Sequence, residues 1–176
     1  VWTYTYTNEI FQLINTAKLA EGGDGPYASI SAYCTDADTN TRSNTTYRRI
    51  NLEDSTYHAT GAAVRLRSVI LNSFPYIQDM QTISDAANVW LQANGKSEIQ
   101  QLQIGEAMVA TQQAIWEITH GDKYAVEDYY TGLDDYDGSN AVYQINASET
   151  ETEYTENNIE MLCSYLLALP GTAPIY

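Results

Sequence analysis

The chain has 176 residues, 44% of them apolar, which suits one domain with a sizeable core and excludes a disordered chain. Its formal charge is -15 with only eight Lys plus Arg, which argues against nucleic acid and anionic membranes as partners and favours a basic or lysine-rich protein surface. No apolar run reaches membrane-spanning length, and neither a signal peptide nor an initiator Met is present, so a mature fragment or an excised domain, without membrane insertion of its own, is expected.

Fifteen tyrosines against two phenylalanines, with few lysines, point to an exposed, protein-contacting and extracellular surface. Residues 1–7, "VWTYTYT", alternate strictly and predict a strand with Trp2, Tyr4 and Tyr6 on one face. In "NEIFQLINTAKLA", 8–20, Ile10, Leu13, Ile14 and Ala17 fit a helix better than a strand. "EGGDGP", 21–26, is a turn. "YASISAYCTD", 27–36, predicts a strand with Ala28, Ile30, Ala32 and Cys34 on one face. Residues 36–57 are polar, with a short strand around "YRRINL", 47–52.

A helix is expected over 59–74, with Ala62, Ala63, Leu66, Val69 and Ile70 inward and Pro75 ending it. A shorter one follows over 84–95, closed by Asn94-Gly95. The next runs from about 103 to 120 and stops at Gly121. Residues 122–140 form a Tyr- and Asp-rich loop, and "AVYQIN", 141–146, a strand. "TENNIEMLCSYLLAL", 155–169, is a closing helix with Thr155 as its cap and Pro170-Gly171 as its stop. No repeat or linker interrupts the chain, so residues 1–176 read as one domain.

The 103–120 helix holds two adjacent amides in "TQQAIW", 111–116. At about 100° per residue, Ala107, Ala114 and Ile118 share a line, flanked by Met108, Ile115 and Ala110. Glu117, Gln113 and His120 gather on the opposite side, the expected solvent face. Gln112 falls between Ile115 and Trp116 at the border of the buried face, where an amide needs partners. Taken alone, it reads first as a structural amide bonded to a neighbouring loop.

"TQQAIW" resembles the Thr-Gln-x-Ala-Ile-Trp motif of the thioester domains of Gram-positive surface proteins and pilus tips. The cysteine motif of that family is similar to Tyr33-Cys34 at the end of "SISAYC", although Thr35 stands where the family often has an apolar residue. The order of parts also matches: the Cys strand, a helix with "RSVILNSFPY", the Gln helix, and a closing helix. The resemblance implies an internal thioester between Cys34 and Gln112, formed without enzyme, cofactor or metal. It implies attack on the Gln112 carbonyl by a lysine amine of a host or partner protein, giving a covalent amide and a free Cys34 thiol. It implies a cell-wall-anchored adhesin domain at the bacterial surface, with a role in virulence, that is monomeric and turns over once. Tyr33 and Trp116 are expected to wall off the bond. The Thr111 hydroxyl, backbone N–H groups and tyrosine hydroxyls are all candidate oxyanion donors. The implied fold is α+β, with a β-sheet or small barrel carrying Cys34 packed on a helical part carrying Gln112.

Other readings compete. Cys163, in "MLCSYLL", is expected to be core packing; a Cys34–Cys163 disulfide is the alternative. His58 and His120 make weak bases for a cysteine hydrolase, since both are expected at the surface. "DDYDGSN", 134–140, lacks the spacing and bidentate Glu of a calcium loop and reads as a solvated acidic loop. Asn44-Thr45-Thr46 and Asn146-Ala147-Ser148 match glycosylation sequons, of little meaning in a bacterial protein. A non-covalent protein- or glycan-binding module, with Cys34 an ordinary thiol, is the main functional alternative.

Overall fold

The computed structural model describes residues 11–14, 29–36, 50–55, 61–121 and 156–173. Two four-residue strands, β1 (Phe11–Ile14) and β2 (Ser29–Ala32), pair antiparallel with Phe11 opposite Ala32 and Ile14 opposite Ser29. Four α-helices follow among the described residues: α1 (Ala62–Leu71), α2 (Met80–Ala93), α3 (Ile104–His120) and α4 (Glu156–Ala168). This corrects the α+β expectation. The described body is helical, and in place of a sheet or barrel there is one short ladder, which ends two residues before Cys34.

One element departs in the other direction. The Phe11–Ile14 stretch was expected in a helix, but its backbone pairs with β2, and long-range pairing overrides a marginal helical pattern. Leu52 opens a 3-10 turn, Leu52–Asp54, where a short strand was expected to end. The strands over 1–7 and 141–146, the turn at 21–26, the loop at 122–140, His58, Thr155 and both sequons lie outside the described residues.

α4 packs against α1, α2 and α3, and α3 also packs against α1. Leu66 and Val69 of α1, Ile83 and Leu91 of α2, Ala110 and Ile115 of α3, and Ile159, Leu162 and Leu166 of α4 make the centre of the core. α1 ends at Leu71, before Pro75, and Ile70 is exposed where it was expected inward. α2 begins four residues earlier than expected because Asp79 caps it, accepting from the Gln81 and Thr82 N–H groups. Thr82 donates both hydroxyl and N–H to that carboxylate, holding its pKa below the usual range.

α3 differs most from its wheel. From Gly105 to Ile118 only Met108 and Glu117 escape full burial, so the helix runs through the interior and has no broad solvent face. At its start the Gln103 N–H donates to the Glu106 carboxylate at 2.8 Å. At its end Gly121 takes a positive φ of 68° that ordinary residues avoid.

Candidate functional site

Burial of α3 makes every polar side chain on it a question of partners. Gln112, 1% exposed, finds them on Cys34. The Cys34 N–H donates to Gln112 Oε1 at 3.1 Å, and Gln112 Nε2 donates to the Cys34 carbonyl at 2.6 Å. Residues 78 apart in sequence are thus bracketed together, with the carboxamide lying against the backbone of the residue that bears the thiol. Cys34 itself is half-buried, and its thiol donates to the Asp36 carbonyl at 3.0 Å.

This arrangement has a definite chemical reading. Sulfur attack on the Gln112 carboxamide carbon would place negative charge on Oε1, where the Cys34 N–H already points. The nitrogen that must leave is Nε2. Holding thiol and amide together replaces an encounter in solution, where effective molarities can reach on the order of 10⁵ M or more.

Among the described residues, the Thr111 and Tyr33 hydroxyls, candidates for the oxyanion role, have other partners. Thr111 is fully buried and donates to the Ala107 carbonyl at 2.6 Å. Ser73 Oγ lies 2.5 Å from Thr111 Oγ1, and either hydroxyl can be the donor between them. Tyr33 donates to the Phe74 carbonyl at 2.5 Å, with the Thr111 hydroxyl also against the phenol. Burial pushes the Tyr33 pKa well above its ordinary value, so the phenol stays a donor. These groups pin the residue before Cys34, and the residue before Gln112, to the connection between α1 and α2. Among the described residues the backbone N–H of Cys34 is the candidate that donates to Oε1. Trp116, 5% exposed and one turn beyond Gln112, lies within the packed interior.

Gln113 is corrected. It was placed on the solvent face, yet it is 0% exposed, and neither its Oε1 nor its Nε2 has a hydrogen-bond partner among the described residues. The wheel failed because α3 is covered on both sides, so its polar residues do not mark solvent.

Two residues beside the Cys34 segment were passed over. His120 was read as a surface cap, but its Nε2 lies 3.5 Å from Asp36 Oδ1, beside the Cys34 segment. Asp36 attracted no attention, although two residues beyond Cys34 on an extended chain puts it on the same side. That spacing was the available signal.

Cys163 is fully buried between Leu162 and Leu166, as expected of core packing. Burial first, then the Glu117 and Glu160 carboxylates, push its thiol pKa far up, so it stays protonated and unreactive. Native-state treatment with iodoacetamide near pH 8 should therefore leave Cys163 unlabelled, and peptide mapping checks this. Labelling without unfolding would contradict its burial. Among the described residues no cluster of three His, Cys, Asp or Glu could hold a metal, and no helix is long and apolar enough to cross a membrane.

The family model for the thioester domain matches residues 31–169, a span that contains both Cys34 and Gln112. The chain belongs to the thioester domain family. It is thus a thioester-containing domain of a kind that can form covalent bonds. No curated protein and no solved structure matches it.

Proposed function

We propose that Cys34 Sγ and Gln112 Cδ form an internal thioester that captures an amine as a covalent amide, and that the domain serves as a surface adhesin. The observation that carries this reading is the two-point hold of the Gln112 carboxamide on the backbone of Cys34. In formation, the C–N bond of the carboxamide breaks, the C–S bond forms, and one ammonia departs with the thiol proton. In capture, an amine attacks the same carbon, the C–S bond breaks, and Cys34 leaves as the thiol. The amide product is stable, so the domain acts once and does not turn over. It needs no cofactor.

The proposed partner is a host or partner protein presenting a lysine amine to the bacterial surface from which the parent protein extends. The charge of -15 supports this choice by drawing cations to the domain. Encounter with a lysine-rich protein should slow as salt rises through the screening range.

Intact mass tests the reading. The wild-type chain should be lighter than its sequence by one ammonia. Methylamine should then add once, at Gln112, and free the Cys34 thiol while the domain stays folded. A chain of full sequence mass would sink the proposal. A chain lighter by two hydrogens would replace it with a disulfide.

A further inference from the structure

The Gln112 carboxamide meets both polar groups of one residue. Oε1 accepts from the Cys34 N–H at 3.1 Å, and Nε2 donates to the Cys34 carbonyl at 2.6 Å. An amide pairs with a donor and an acceptor on one backbone edge through its oxygen and the hydrogen on the same side of its C–N bond. The second Nε2 hydrogen points away from that edge. Which hydrogen is used decides what the hold tolerates.

Planarity gives the nitrogen two distinct places, one beside Oε1 and one opposite it. In a secondary amide the trans form puts the substituent beside the oxygen and the hydrogen opposite. The cis form, with those places exchanged, is disfavoured on the order of 10²-fold. A substituent on Nε2 therefore takes the place of the hydrogen that the Cys34 carbonyl accepts. A carbon bonded to that nitrogen at about 1.46 Å would come within roughly 1.5 Å of the Cys34 oxygen, which lies 2.6 Å from the nitrogen. The two atoms overlap, so the carboxamide has to turn out of the pairing.

We propose that this hold distinguishes what has been captured: ammonia restores it, and an alkyl amine, a lysine included, abolishes it, so that covalent capture unfastens the Cys34 segment from α3. This rests on the thioester reading above. The difference follows from the hydrogens left over. Attack by R–NH₂ on Gln112 Cδ forms the C–N bond, breaks the C–S bond and passes one nitrogen hydrogen to the Cys34 sulfur. One hydrogen and R stay on the nitrogen, and R takes the place beside Oε1. With ammonia two hydrogens stay, and both bonds to Cys34 return.

The change is local. Gln112 is 1% exposed and Cys34 half-buried, so parting them strips the Cys34 N–H and carbonyl of partners within the fold. One residue earlier, Tyr33 donates to the Phe74 carbonyl at 2.5 Å, a bond that involves neither Cys34 nor Gln112. The loosening is thus expected from Cys34 onward, with the domain still folded.

Hydrogen exchange at the residue 34 N–H, followed by NMR on nitrogen-labelled protein, tests the proposal, with intact mass fixing the identity of each state. The ammonia product, kept in ammonium buffer, and Cys34→Ala, which has no thiol to expel ammonia, both carry a primary amide at Gln112. Both should exchange slowly and alike. The methylamine and n-butylamine adducts should exchange about tenfold faster, and equally so, because the first carbon already displaces the hydrogen. Exchange that is equal in the ammonia product and the methylamine adduct overturns the proposal. So does exchange that a methyl leaves unchanged and a longer chain quickens, which is crowding and not loss of the pairing. Fast exchange in both primary amides also overturns it, since there is then no hold to lose. A wild-type chain of full sequence mass overturns this inference together with the reading it rests on. An ammonia-deficient chain whose alkyl adducts exchange as slowly as its ammonia product overturns this inference alone.

Discussion

Gln112→Met should leave the chain with no ammonia loss and no capture of methylamine, while Gln113→Met should keep both. The two residues are neighbours on one buried helix, and the substitution preserves volume in each. Only Gln112 has its carboxamide against Cys34. Gln113 buries an amide whose polar atoms find no partner among the described residues, so removing it should relieve a desolvation cost of about 1–3 kcal/mol. Gln113→Met is thus expected to be more stable than wild type by denaturant titration, with the mass deficit intact. Gln112→Met is expected to be less stable, having lost two hydrogen bonds and the proposed cross-link. The reverse result, a deficit surviving in Gln112→Met, would mean that the wrong amide has been chosen.

The site was legible where the sequence placed chemistry beside a pattern. Cys34 and Gln112 came from motifs, and the structure brings them together. The helices at 62–71, 80–93, 104–120 and 156–168 were legible from apolar spacing and from stops such as Gly95 and Gly121. What failed was the assumption that polar means exposed. α3 carries Glu106, Thr111, Gln112 and Gln113 fully buried, because α1 and α4 pack against it and neighbouring side chains satisfy most of these groups. A wheel drawn for one helix cannot see those neighbours. The pairing of β1 with β2 is similarly long-range, and nothing within "FQLI" announces it. The contact between Asp36 and His120 was not legible for the same reason: it exists only once the Cys34 segment is laid along the end of α3.

The hold on Cys34 is also less unusual than the motif suggests. Asn88 grips Ile99 in the same two-point way, its Oδ1 accepting from the Ile99 N–H at 2.8 Å and its Nδ2 donating to the Ile99 carbonyl at 3.1 Å. Asn158 grips Gln100 likewise, at 3.0 and 2.6 Å. A side-chain amide offers a donor and an acceptor at the spacing of a backbone edge, so it serves as a clamp wherever a loop must be fastened to a helix. The geometry alone describes a clamp. What sets Gln112 apart is that the residue it grips carries a thiol.

Asn158 provides the contrasting case, a clamp with no chemistry in reach. It is 1% exposed, and besides gripping Gln100 its Nδ2 donates to Glu106 Oε2 at 3.0 Å, tying the start of α4 to the start of α3. Asn158→Ala would take a donor from the fully buried Glu106 carboxylate and leave both Gln100 backbone groups to find water. Hydrogen bonds to charged groups contribute about 1.5–3 kcal/mol, and buried groups left without partners add to the loss. A destabilisation of about 3 kcal/mol is expected, or roughly 10 °C in Tm for a chain of this size. Asn88→Ala, at a half-buried position without a buried carboxylate, should cost about 1 kcal/mol. Neither change should alter the mass deficit or methylamine capture in the folded protein, because neither residue touches Cys34 or Gln112. Thermal denaturation paired with intact mass reads both quantities from one preparation. If Asn158→Ala unfolds within about 0.5 kcal/mol of wild type, the Glu106 network does not hold α3 against α4 as argued. If it folds but keeps its ammonia, the position of α3 is coupled to the thioester more tightly than the contacts around Gln112 imply.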